Sequence, residues 1–172
     1  SDFGLWIKSC PNIKINSNLI TNIINQAVYV EDLSHNASIE ENTIINCVIG
    51  IHVAESNNAS IVENRLINMS SRGIEITIFS NDSRTISNNI TGGENAIAGF
   101  DSWNMDVLNN TCKFNNYGII LTEIDGGEIA YNDLRYTRMT PIDDQLSANM
   151  NIHDNNKYFP IPAIINNATD NT

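Results

Sequence analysis

An Ile-x-x-Asn-x-Ile pattern recurs along nearly the whole chain and constrains its fold more than any other feature. The pattern's asparagines are Asn18, Asn42, Asn64, Asn88, Asn110, Asn132 and Asn155. Successive members are 24, 22, 24, 22, 22 and 23 residues apart. Asparagine is abundant overall, with 29 in 172 residues, but it is dispersed, so abundance alone does not produce this spacing. A repeat of this length predicts a solenoid.

Other columns of residues run in phase with the first. A column of mostly small residues lies five positions before each motif, at Cys10, Ser34, Ser56, Ser80, Ser102, Ile124 and Ser147. A second turn column comprises Asn12, Asn36, Asn58, Asp82, Asn104, Gly126 and Asn149. These residue types indicate a corner of the chain, and we expect Asn36 and Asn58 to be buried in ladders there. Further upstream, segments such as Gly50-Ile51-His52-Val53 alternate with the period of a β-strand.

The combined pattern predicts an all-β fold, a right-handed parallel β-helix of about seven coils with 22–24 residues per coil. Each coil exposes strand edges and an apolar face, and stacking buries both. The repeated asparagines then form an internal ladder. We expect one domain over residues 1–172, with coils starting near 4, 27, 50, 73, 96, 118 and 141 and a partial coil from about 163. A leucine-rich repeat is disfavoured because its Leu-x-x-Leu-x-Leu signature is absent.

The Gly-Ile-x-Val, Ser-x-Asn and Ile-x-x-Asn-x-Ile elements resemble the repeats of the pectin lyase-like superfamily over residues 4 to about 157. They are most similar to the group named for carbohydrate-binding proteins and sugar hydrolases, and to the copper-site maturation proteins of nitrous oxide reductase. They also resemble archaeal surface-layer β-helix modules. The resemblance implies the fold, but the superfamily includes lyases, hydrolases, epimerases, adhesins and surface-layer modules.

One surface is a candidate binding site by this resemblance, which implies activity on the outer face of the Gly-Ile-x-Val strands. Its outward column begins Trp6, Tyr29, His52, Glu75. Aromatic rings stack on sugars, and carboxylates with a histidine can bind hydroxyl groups, bind Ca²⁺ or transfer protons. The alternative is an ordinary solvated wall. Motifs of polygalacturonases and alginate epimerases are missing, so an enzyme is disfavoured; if it is one, we expect a polysaccharide lyase or glycoside hydrolase.

A second acidic group is the candidate metal site. Asp101 and Glu123 occupy equivalent positions in adjacent coils, with Asp125 nearby, and such carboxylates either bind Ca²⁺ or remain splayed in water. No other cofactor is expected. The three cysteines are predicted to be free thiols packed as small apolar residues, and the spacing of the histidines gives copper no support.

Charge and sequons suggest a location. The formal charge of −11 disfavours nucleic acid as a partner, and no apolar stretch is long enough for membrane insertion. Seven Asn-x-Ser/Thr sequons occur, of which Asn81, Asn89 and Asn109 are the candidate glycosylation sites. These features favour an extracellular or cell-surface protein.

We therefore predict a non-catalytic structural or interaction module of the surface-layer, adhesin or spacer type. The alternative is a carbohydrate-binding or polysaccharide-cleaving domain. Self-association is expected through the coil ends or through an outward apolar stripe of Val62, Ile86 and Leu108. Start and stop share one repeat phase, so we expect a segment of a longer solenoid or a docked first coil, with Phe159-Pro160-Ile161-Pro162 covering part of the other end.

Overall fold

The structure, a computed structural model, describes residues 1–157 and the backbone of residues 164–166. The chain forms a parallel β-helix of about seven coils, which confirms the predicted fold. Each of the first five coils contributes a long strand followed by two short ones, and in the sixth a single strand spans the long strand and the first short one. The proposed cap at Phe159-Pro160-Ile161-Pro162 lies outside the described residues.

The long strands form one wall of the solenoid. They are β1 (Phe3–Lys8), β4 (Gln26–Glu31), β7 (Ile49–Ala54), β10 (Arg72–Thr77), β13 (Asn95–Trp103), β16 (Tyr117–Ala130) and β17 (Thr140–Gln145). Each pairs in parallel with the next coil's long strand, and β17 also pairs with β19 (Ile164–Asn166). All seven coil starts predicted from the sequence fall at the second residue of a long strand, as Gly4 does in β1.

Two rows of short strands complete the coils. The first row contains β2 (Lys14–Asn16), β5 (Ser38–Glu40), β8 (Ser60–Val62), β11 (Arg84–Ile86), β14 (Asp106–Leu108), the end of β16, and β18 (Ala148–His153). The second row contains β3 (Leu19–Thr21), β6 (Thr43–Ile45), β9 (Arg65–Ile67), β12 (Asn89–Thr91) and β15 (Thr111–Lys113). Inward residues of all three rows form one continuous aliphatic core, in which Ile39, Ile61 and Val107 are completely buried.

The asparagine ladder lies at the corner between the two short rows. In each coil the residue before the ladder asparagine adopts a positive φ, as in Glu41 at 55° and Ser87 at 56°. Such a conformation costs a non-glycine residue about 1 to 2 kcal/mol. The asparagine offsets this cost because its side chain satisfies groups in adjacent coils. The Asn42 amide nitrogen donates to Asn64 Oδ1 at 2.9 Å and to the Ile15 carbonyl at 2.8 Å. Equivalent side-chain bonds continue from Asn18 to Asn155.

The corner after each long strand has a second ladder made of serines. Ser34, Ser56, Ser80 and Ser102 are buried, and each hydroxyl oxygen accepts a backbone N–H from the preceding coil. The adjacent asparagine column differs from the prediction. Asn36 and Asn58 are exposed rather than buried, because their positive φ directs the side chains outward, although Asn58 Nδ2 still donates to Asn36 Oδ1 at 2.8 Å.

Candidate functional site

The outer face of the long strands carries the predicted strip of Trp6, Tyr29, His52 and Glu75. Strand pairing aligns Trp6 with Tyr29, Tyr29 with His52, and His52 with Glu75, so the predicted strip is contiguous. The strip ends at Ala98, which is completely buried although its strand position faces outward. The face is therefore not a simple solvated wall, since larger side chains fold over its centre.

Aromatic rings stack on one another along the first three coils. Tyr29 and His52 have ring centroids 4.8 Å apart, and the Phe3 ring lies 5.1 Å from Trp6 and 6.0 Å from Tyr29. Tyr29 and His52 are paired in adjacent coils, so their rings stack at the strand spacing of about 4.8 Å, whereas Phe3 and Trp6 belong to the same strand. Tyr29 has ring contacts with both Phe3 and His52, whereas Trp6 is 56% exposed and keeps the most ring surface for a ligand.

Glu31 holds the start of the strip together. Its carboxylate accepts hydrogen bonds from Trp6 Nε1 at 2.8 Å and from the Tyr29 hydroxyl at 2.7 Å. Lys8 Nζ lies 3.8 Å away. The Tyr29 hydrogen bond, more than any other contact, lowers the pKa of Glu31. Burial raises the pKa of Tyr29, and the same hydrogen bond raises it further, so the phenol remains protonated.

His52 is fixed as a neutral imidazole. The Gln26 amide nitrogen donates to His52 Nδ1 at 2.8 Å, so His52 Nε2 carries the proton and donates to Thr77 Oγ1 at 3.0 Å. Burial, with a smaller contribution from the Arg72 charge, lowers the pKa of His52 to about 4. Both ring nitrogens are thereby occupied by neighbouring side chains.

Glu75 and Arg72 form an ion pair over the middle of the face. Arg72 Nη1 lies 2.8 Å from Glu75 Oε1, and the guanidinium carbon lies 5.4 Å from the centre of the Phe100 ring. Glu75 is only 6% exposed, and this burial raises its pKa against the opposing effect of Arg72. An open groove of about 370 Å³ lies beside the pair. Its lining consists of His52, Arg72, Glu75, Thr77, Ile78, Phe100 and Asp101.

Sequence reasoning missed Gln26, Arg72 and Phe100. Gln26 lies three residues before Tyr29, and Arg72 lies three residues before Glu75. A strict two-residue alternation would place them on the opposite face, but the Ala or Gly that follows each of them adds one residue at the start of the strand. Their shared register with Phe3 is the signal that could have identified them.

The acidic group is only partly assembled. Asp101 and Glu123 interact through their side chains, and this contact is the main cause of the raised pKa of Glu123. Asp125 instead accepts a hydrogen bond from Asn149 Nδ2 at 2.7 Å. A calcium site here remains a prediction.

The other predicted groups are dispersed. Cys47 and Cys112 are buried, whereas Cys10 is exposed and so does not pack as a core residue. Among residues 1–157 no three His, Cys, Asp or Glu side chains are grouped as metal ligands. Asn89 and Asn109 are exposed, and Asn81 is half-buried with its Oδ1 accepting the Trp103 N–H. The described part of the chain contains no helix that could cross a membrane.

Comparisons with known proteins agree with this architecture. A family model described as "Periplasmic copper-binding protein (NosD)" matches residues 4–159. The A-module of the Azotobacter vinelandii mannuronan C-5 epimerase AlgE4 superposes with a TM-score of 0.61 at 11% identity. That match covers 88% of this chain and 57% of the epimerase module, so it establishes a shared fold alone. A search of curated proteins found no match.

The residues of this chain bear on the copper named in the family description. His52 has both ring nitrogens in hydrogen bonds, and the two buried cysteines lie in different coils. No three His, Cys, Asp or Glu side chains are grouped as ligands in the described part of the chain, so these residues do not fit a copper site. The periplasmic part of the description agrees at a coarse level with the predicted location outside the cytoplasm.

Proposed function

We propose that this chain, which belongs to the NosD family, is a non-catalytic β-helix module of an extracellular, cell-surface or periplasmic protein. Its role is that of a rigid spacer or interaction element, of the surface-layer or adhesin type. Such a role needs a stiff shaft and an outer surface for partners, without a reacting centre.

One observation carries this proposal: the groups able to transfer protons on the outer face are bound to one another. Glu31 accepts bonds from Trp6 and Tyr29, and Glu75 is paired with Arg72. His52 lies between Gln26 and Thr77. A general base must accept a proton from a substrate within hydrogen-bond reach, and these contacts direct the two carboxylates and the imidazole towards neighbouring side chains. Interactions of this kind stiffen the wall instead.

Glycan binding is the second candidate function, and one atom favours it. The Arg72 Nε atom is buried and has no hydrogen-bond partner among the described residues. Arg72 lines the groove together with His52, Thr77 and Phe100, and its Nε–H lacks an acceptor that an oxygen of a bound sugar would supply. The matched epimerase's name contains mannuronan, an acidic polysaccharide, which makes uronate polymers the first ligands to test.

The experiment that separates the two functions is incubation of the chain with alginate and polygalacturonate, with and without Ca²⁺. The rigid-module proposal expects no chain cleavage, no epimerisation and no binding that depends on the outer face. Binding that is lost in both Trp6→Ala and Tyr29→Ala would support the glycan alternative. Product formation in any sample would overturn the non-catalytic proposal.

A further inference from the structure

The turn after the long strand has one more residue in two of the coils. Two residues separate Glu31 from Ser34 and Thr77 from Ser80, but only one separates Ala54 from Ser56 in the coil between them. Each longer turn contains two successive residues with positive φ, Asp32-Leu33 and Ile78-Phe79, at 51° to 63°. Such values are rare for leucine and phenylalanine and rarer still for the β-branched isoleucine.

The longer turns create a notch over the shorter one. Leu33 stands on one side and Ile78 and Phe79 on the other, and all three are exposed. Their coils are two apart, so the walls rise from backbone positions about 10 Å from each other. Glu55 and Asn57 lie between them, and the notch encloses about 480 Å³.

The polar residues of the notch are held in place by the backbone of the next coil. His35 Nδ1 accepts the Asn57 N–H at 2.9 Å, and Asn57 Oδ1 accepts the Asn81 N–H at 3.0 Å. The Asn81 Oδ1 atom in turn accepts the Trp103 N–H at 2.9 Å. A ligand would therefore meet a preorganised surface, which lowers the entropy cost of binding.

Charge selects the kind of ligand. Glu55 makes no ion pair within residues 1–157, whereas Asp32 at the rim is already paired with Lys8 at 3.6 Å. The whole chain carries −11, so the notch attracts cations. Phe79 packs against Trp103 with ring centroids 5.7 Å apart, which supplies an aromatic wall for a cation and its aliphatic stem.

We propose that this notch docks a lysine or arginine side chain from a basic segment of a partner protein. The stem of that side chain packs between Leu33 and Phe79, and its charged end reaches Glu55. The inference rests on the proposed function, because it assigns a partner class to an interaction module. It concerns the turn beyond the long strands, outside the Trp6 to Glu75 strip.

The test uses the full chain with Trp6→Phe, which leaves Trp103 as the single tryptophan and a reporter of the notch. An acetylated hexapeptide with two lysines among alanines is titrated while Trp103 fluorescence is followed. The same peptide with glutamates in place of lysines, and cellohexaose, are the comparison ligands. We expect saturable binding of the lysine peptide alone.

Matched variants locate the binding. Glu55→Gln is expected to weaken it about threefold, as for an exposed ion pair. Phe79→Asn should weaken it about fivefold, and asparagine tolerates the positive φ, so the fold is retained. Glu63→Gln removes the same charge from the other corner of Glu55's coil, where the residue is also exposed with a positive φ, and should have no effect.

Three outcomes overturn the inference. Equal weakening by Glu55→Gln and Glu63→Gln would mean attraction by overall charge. A response to cellohexaose without one to the lysine peptide would make the notch a saccharide site. If protein that melts normally responds to no ligand, the notch binds neither basic peptides nor acidic peptides nor saccharides of this kind. None of these outcomes changes the result of the uronate assay, so the two proposals fail separately.

Discussion

At the scale of single residues, a ladder asparagine such as Asn88 both donates to one neighbouring coil and accepts from the other. Asn88 Nδ2 donates to the Ile61 carbonyl and to Asn110 Oδ1, and its own Oδ1 accepts both the backbone and side-chain nitrogens of Asn64. An amide has both donors and an acceptor, so it can pass the pattern from coil to coil. Aspartate has no donor at neutral pH, and serine is too short.

Replacement of a ladder residue tests this role. Asn88→Ala leaves buried partners in the neighbouring coils unsatisfied and should lower the free energy of unfolding by about 1 to 3 kcal/mol. Its sequence neighbour Asn89 is exposed, so Asn89→Ala should cost only a few tenths of a kcal/mol, on the order typical of surface positions. Thermal melting of both variants checks this, and equal melting temperatures would contradict the ladder's energetic role.

The buried His52 gives stability a predictable dependence on pH. Its folded-state pKa of about 4 is below the ordinary value of 6.5. Between these values the unfolded chain binds a proton that the folded chain does not, so stability falls as the pH decreases from 6.5 to 4, by up to about 3 kcal/mol. His52→Gln should remove this part of the slope.

Denaturant titrations of the wild type and His52→Gln at several pH values measure the difference. The raised pKa values of Glu75 and His153 act in the opposite direction, since acid stabilises a fold that binds the extra proton. Glu75 and His153 are present in both the wild type and His52→Gln, so the difference between the two pH profiles removes the part of their contribution that is the same in both. Parallel pH profiles would show that His52 titrates normally in the fold.

At the scale of elements, the start of each long strand is a point of close approach between coils. A Cβ added to Gly73 would lie 2.4 Å from the Ala96 carbonyl oxygen and 2.6 Å from Ile90 Cγ2. Ala27 and Ala96 occupy the equivalent positions of other coils and are completely buried. Local spacing between coils therefore decides whether glycine or alanine fits.

Gly73→Ala should consequently destabilise the fold by about 1 to 3 kcal/mol, the usual cost of an overpacked core. Gly126→Ala is the control, because its Cβ would have only one neighbour, at 4.0 Å, although its φ of 79° is unfavourable. We expect the control to lose about 1 kcal/mol, the cost of the left-handed conformation. Urea unfolding provides the comparison, and a smaller loss for Gly73→Ala would refute the steric argument.

At the scale of the whole molecule, the solenoid leaves an apolar stripe on the first short row. Val62, Ile86 and Leu108 align through direct strand pairing and are half-buried in the single chain. Contiguous apolar surface of this kind usually marks a partner surface. Covering of the stripe by a neighbouring subunit stays a prediction.

Light scattering of Ile86→Lys tests the stripe. If chains associate through it, a charge at its centre should shift the population towards monomer, because burying an unpaired ammonium is costly. Glu40→Lys changes a polar residue of the same outward column and should leave the association unchanged. Monomers for the wild type at high concentration would remove the basis of the prediction.

Much of the fold was predictable from the sequence because a solenoid repeats the same residue pattern in each coil. The ladder asparagines, the serine corner and the register of Trp6, Tyr29, His52 and Glu75 were all predicted from spacing. The exposure of Asn36 and the ion pair of Arg72 with Glu75 were not predicted. A backbone φ and the direction of a long side chain do not produce a repeating pattern in the sequence.

The sequence by itself determined the coil, its length and which side chains share a column, since period-2 strands and fixed turn residues act locally and recur. Only the tertiary structure decided what those columns do. The aromatic rings stack on one another, the acid and base groups of the face bind each other, and two longer turns enclose Glu55. These outcomes depend on distances between coils and on competition for the same hydrogen bonds, which are properties of the assembled stack.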